Sequence, residues 1–167
     1  GGSPITLGEF DLADDALLLN RRAAELAHEA IEAFSHDGRR RFVLGSIGPG
    51  TRLPSLGHVT YDDLTAAYHT QSAGLIAGGV DGLLIETCQD VLQIKAAVNG
   101  AKQAISDAGP EIPILVQATV ETTGTLLVGA DMAATATVVQ AIDVPAMGLN
   151  CATGPQEMAE HVKWLRE

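Results

Sequence analysis

Two cysteines, Cys88 and Cys151, and one glutamate, Glu86, are the residues whose types and placing could do chemistry. Cys151 follows the run Ala146-Met147-Gly148-Leu149-Asn150 and precedes Gly154-Pro155 and a helical pattern. A thiol between a strand end and a helix N-terminus is placed to become a thiolate, as a zinc ligand or a nucleophile. It could equally be a small buried hydrophobe, a common fate of a single cysteine. Zinc needs three or four ligands, and the interval from Cys88 to Cys151 matches no local zinc motif. Glu86 ends the apolar run Leu83-Leu84-Ile85. A carboxylate there could bind an ammonium group, act as a base, or stand solvated. The histidines (His28, His36, His58, His69 and His161) fall on predicted helices and loops, which leaves a Ser-His-Asp or Cys-His arrangement without support. Gly48-Pro49-Gly50 lacks the Lys-Ser/Thr of a phosphate loop, and no GxGxxG fingerprint occurs.

The elements that must position these residues alternate. The spacing predicts a helix from Asp14 to Phe34, with Leu17, Leu18, Ala24, Leu26, Ala27, Ala30 and Ile31 on its dry side. Arg21, Arg22, Glu25 and Glu29 form its wet side, and Gly38 suits a left-handed cap beyond it. A short buried strand follows over Phe42–Ile47. Thr60 is placed as an N-cap, with Asp62 and Asp63 in the first turn of a helix reaching Ala77. Strands are expected at Gly82–Glu86, Ile114–Val120 and Ala146–Asn150. Helices are expected over Asp90–Ala108, Ala130–Ile142 and from Gln156 to the end.

A leading helix and four strand-helix units imply a parallel sheet with right-handed crossovers. Ligands of such sheets bind at the C-terminal ends of strands. The residues after each strand gather both cysteines, Glu86, Asp90, Glu121, Asn150 and several hydroxyls on one expected rim. Loops are polar and Gly-rich in any case, so composition alone decides nothing here.

Composition narrows the classes. Hydrophobic residues are 46% of the chain and aromatics only 4%, so small aliphatic side chains do most of the packing, as in α/β proteins. A formal charge of -11 argues against nucleic-acid or anionic-membrane partners. No apolar run approaches the ~20 residues of a membrane span, and the first residues lack the pattern of a signal peptide. Two cysteines make a disulfide scaffold a poor fit, and a cytoplasmic protein is expected.

Four segments carry a resemblance. Leu44-Gly45-Ser46-Ile47-Gly48-Pro49-Gly50-Thr51, Leu84-Ile85-Glu86-Thr87-Cys88-Gln89-Asp90, Val120-Glu121-Thr122-Thr123-Gly124-Thr125 and Gly148-Leu149-Asn150-Cys151-Ala152-Thr153-Gly154-Pro155 occur in order at suitable intervals. Together they resemble the homocysteine-binding barrel of cobalamin-dependent methionine synthases, within the homocysteine S-methyltransferase family. The resemblance implies a partial (β/α)8 TIM-type barrel, its four parallel strands being the third to sixth of eight. It implies a zinc ion held by three cysteine thiolates, the first of which falls on Cys151. The zinc binds the homocysteine sulfur as a thiolate, which attacks methylcobalamin recharged from 5-methyltetrahydrofolate on another domain. Glu86 then contacts the amino group of homocysteine, with further contacts from Asn150 or the Thr122-Thr123 loop.

The chain departs from that pattern, for the family's remaining two ligands are an adjacent Cys-Cys pair that it lacks. With an odd leading helix and a last helix without a cap, residues 1–167 read as one incomplete domain truncated at both ends. Such a piece is expected to be inactive alone, its parent supplying the cobalamin and folate modules. Betaine- or S-methylmethionine-dependent homocysteine methyltransferases are the alternative enzyme reading. A non-catalytic α/β module is the alternative class, since open sheet edges invite self-association.

Overall fold

The structure, a computed structural model, describes residues 1–166. Four parallel strands lie in chain order: β1 (Leu44–Ile47), β2 (Gly82–Cys88), β3 (Ile114–Ala118) and β4 (Ala146–Leu149). Between and around them run α1 (Pro4–Leu7), α2 (Ala16–Phe34), α3 (Tyr61–Ala77), α4 (Val91–Ala108), α5 (Met132–Ala141) and α6 (Pro155–Arg166). The expected alternation is present, and most element ends fall within two residues of the sequence reading. Residue 167, where the last helix was expected to end, lies outside the described residues.

The termini of the elements follow from side-chain chemistry. Thr60 caps α3 by accepting the Asp63 N–H. Asp90 caps α4 by accepting the Leu92 N–H at 2.9 Å, so it precedes the helix rather than opening it. The same carboxylate accepts the Ser55 N–H and hydroxyl, which satisfies a fully buried charge and fixes the loop after β1. One short α-helix was not expected: Ser3 caps α1, with Pro4 at its first position.

The helices cover one face of the sheet. Gly45, Ile47, Leu83, Ile85, Ile114 and Val116 are buried beneath them. The alternate residues Leu44, Ser46, Leu84, Glu86, Leu115 and Gln117 lie on the other face, exposed or half-buried. Period-two alternation thus decides that Glu86 stands on the open face.

Helix α2 corrects the expected dry side. Ala24 is buried and Ala27 and Ile31 pack against the core as expected, but Leu18 is 61% exposed and Leu26 50%, and Ala16 and Asn20 are buried in addition. The wet side is as expected, with Arg21–Glu25 and Arg22–Glu29 ion pairs at 2.7 and 2.8 Å. The physical reason lies on α3. A Cβ added at Gly74 would come within 2.5 Å of the Leu17 carbonyl oxygen, and one at Gly78 within 2.5 Å of that of Arg21. Backbones this close leave room only for small side chains between them, so the large leucines turn outward.

Substituting Gly74→Ala should therefore lower stability. The ~1 kcal/mol gained in helix propensity is outweighed by overpacking, for a net loss of about 1–2 kcal/mol. The denaturant midpoint should fall accordingly, and an unchanged or higher midpoint would contradict this packing.

Candidate functional site

Glu86, on the open face of β2, has its carboxylate held from two strands. The Ser46 hydroxyl on β1 donates to Oε1 at 2.6 Å, and the Asn150 amide beyond β4 donates to Oε2 at 3.1 Å. Asn150 also donates to Thr87 Oγ1 at 2.9 Å, and its Oδ1 accepts the Thr87 N–H at 2.9 Å. Its backbone is tied to β3: its N–H donates to Ala118 O, and its carbonyl accepts the Thr119 hydroxyl at 3.0 Å. The amide orientation is dictated by its neighbours. A flipped Asn150 would aim its oxygen at the Glu86 carboxylate and leave the Thr87 N–H without its acceptor.

The chain bends to make this possible. Thr87 has φ 59°, a left-handed conformation that costs a non-glycine residue roughly 1–2 kcal/mol. The β2–β3 register shifts between Ile85 and Cys88, and this irregularity upsets the alternation of faces. Cys151 has φ 61° and Ala152 φ 55°. Strained turns thus lie at the ends of both strands, and they bring Cys151 Sγ to 3.6 Å from Thr87 Oγ1.

The two cysteines part company. Cys151 is an exposed free thiol at the rim. Cys88 was expected on the same rim, but the register shift turns it under the helices, where it is only 1% exposed. Burial pushes the Cys88 thiol up to about 12, with the negative charges of Glu86 and Asp90 acting in the same direction. Cys88 is a core residue.

Thr122 and Thr123 are exposed in the turn after β3, where Thr123 Oγ1 lies 3.2 Å from Thr125 Oγ1. Among the described residues neither bonds to Glu86 or Asn150. Residue-by-residue reading assigned no role to Ser46 or Thr87. For Ser46 the signal was available: it is a hydroxyl between buried Gly45 and Ile47, one strand away from Glu86.

A zinc ion needs three or four protein or substrate ligands. Cys151, exposed and unpaired, suits one of them. Among the described residues no group of three or more His, Cys, Asp or Glu side chains could hold a metal ion, and Cys88 faces the wrong way. The residues present do not complete a metal centre.

The family model described as homocysteine S-methyltransferase matches residues 1–167. The chain is 46% identical over 159 residues to methionine synthases of Mycobacterium tuberculosis and of Mycobacterium leprae, covering 95% of this chain and 13% of each relative. It thus spans about an eighth of their length. Crystal structures of the homocysteine methyltransferase MmuM from Escherichia coli share the fold. The metallated form superposes with a TM-score of 0.79 at 20% identity, over 98% of this chain and 59% of that one. The apo form gives 0.73 at 21%, over 91% and 55%. The four parallel strands and their helices are accordingly part of a TIM-type barrel. No helix among the described residues is long and apolar enough to cross a membrane.

Two outcomes follow for the thiols. In the native protein a thiol reagent should label Cys151 quickly and Cys88 only after unfolding; equal labelling would contradict the burial. The pH dependence has a definite sign. The folded-state value of Cys88, about 12, lies above its ordinary 9.0, so only the unfolded chain loses this proton between those values. Stability should fall as pH rises through that window, and Cys88→Ala should lessen the fall. Identical pH profiles of denaturant midpoint would count against it.

Proposed function

We propose that this chain, which belongs to the homocysteine S-methyltransferase family, is part of the substrate barrel of a methionine synthase that converts homocysteine to methionine. Its strands are then the third to sixth of eight, and residues 1–167 form one incomplete domain of a longer, cytoplasmic parent. The observation that carries the reading is the continuous network from Glu86 through Asn150 and Thr87 to Cys151. It joins a group suited to an ammonium to a group suited to a sulfur-binding metal, which are the two ends of homocysteine.

In this reading Glu86 accepts hydrogen bonds from the substrate ammonium, while Ser46 and Asn150 keep its carboxylate in one orientation. That orientation exists before substrate arrives, which limits the ordering cost of binding. Asn150 also fixes the distance between the two ends, because one amide holds both Glu86 and Thr87. Cys151 is one zinc ligand, and two further thiolates come from outside this chain. Zinc, when bound, supplies the Lewis acidity that keeps the substrate sulfur ionised at neutral pH.

The methyl donor is methylcobalamin, recharged from 5-methyltetrahydrofolate on other modules of the parent. Its support is the 46% identity to methionine synthases, against 20–21% to the Escherichia coli homocysteine methyltransferase. With one sulfur ligand of three, this chain alone transfers no methyl group.

Elemental analysis of reduced protein with a parallel thiol count tests the ligand assignment. This chain should retain no stoichiometric zinc and show two free thiols, while the parent should hold one zinc that Cys151→Ala releases. One tightly held zinc per isolated chain would overturn the assignment. Methyl transfer to homocysteine by the isolated chain would overturn its inactivity.

A further inference from the structure

The Thr87 hydroxyl has a single hydrogen, and the network dictates where it goes. Thr87 Oγ1 accepts the Asn150 amide at 2.9 Å, and the other Asn150 N–H is taken by Glu86. Oγ1 is thus an acceptor toward Asn150, and its own hydrogen points elsewhere. The neighbour within hydrogen-bond reach on that side is Cys151 Sγ, at 3.6 Å, an ordinary O–H···S separation. The backbone N–H of Thr87 donates to Asn150 Oδ1, so the residue is gripped at two points. A β-branched residue at φ 59° is otherwise costly, and this grip holds it there.

We propose that Thr87 is a positioning residue that donates its hydroxyl hydrogen to the Cys151 sulfur. The inference rests on the reading of Cys151 as a sulfur ligand, and it assigns Thr87 the task of aiming and tempering that sulfur. A hydrogen bond draws charge from a thiolate, which lowers its nucleophilicity and restricts its rotamers. The same hydroxyl ties the sulfur to Asn150 and so to Glu86, and the two ends of the site keep a fixed separation.

The test uses this chain and needs neither metal nor activity. Cys151 alkylation by iodoacetamide is timed at a pH where every exposed thiol is ionised, so ionisation drops out; Cys88 stays protected by burial. Thr87→Gly removes the hydroxyl at a backbone angle that glycine adopts freely, and Thr87→Ser keeps it. The glycine variant should react roughly five-fold faster than wild type, and the serine variant at about the wild-type rate. Glycine at the wild-type rate, or glycine and serine equally accelerated, would overturn the proposal, because neither pattern depends on the hydroxyl. Either failure leaves the family reading intact, since that reading stands on the zinc content and substrate contacts of the parent.

Discussion

The rim depends on one amide. Asn150 lies just beyond β4, yet its side chain reaches past the end of β3 to Glu86 and Thr87 on β2. Both N–H groups and the oxygen of the amide are used, and its backbone is held by Ala118 at the end of the intervening strand and by Thr119 just beyond it. A carboxylate on a half-open sheet face would otherwise swing with its rotamers. Held by Asn150 and Ser46, it presents a fixed negative charge. Left-handed backbone at Thr87 and Cys151 is the local cost of that arrangement, and such strain gathers where function needs a residue out of regular geometry.

The layers beneath make the rim rigid. Tyr68 on α3 and Gln93 on α4 both donate to the Pro49 carbonyl, so the loop after β1 is bound to the helical layer. Asp90 holds the same loop further on, through Ser55. The helices sit close because glycine and alanine line their contacts, and Gly100 brings α4 against the Thr65 carbonyl as Gly74 brings α3 against that of Leu17. A core poor in aromatics is thus compact, and the rim inherits its fixed strand spacing.

Much of this was legible beforehand. Strand positions followed from short apolar runs, and Thr60 was identifiable as a cap from its type and the acids after it. Glu86 could be assigned to the rim because it ends an apolar strand. The leucines of α2 were misplaced because hydrophobicity marks what prefers burial, whereas the space between α2 and α3 decides what fits. Cys88 was placed on the rim because the strand was expected to end at Glu86, whereas it runs on to Cys88 and its register shifts on the way. The role of Thr87 was out of reach: a threonine with positive φ is rare, and it arises from bonds to a residue far along the chain. The proposal of Cys151 as a ligand rests on resemblance, since one thiol without its companions carries no metal signature of its own.

In the proposed function Glu86 and Cys151 address opposite ends of one homocysteine molecule. The most direct measurement compares kcat/KM in the parent protein for homocysteine and for its deamino analogue, with wild type and with Glu86→Gln. The substitution should lower the value for homocysteine by roughly 10- to 100-fold, the worth of a charge-assisted contact, and leave the analogue almost unchanged. An equal loss for both substrates would contradict it, because Glu86 would then shape the rim without meeting the amino group.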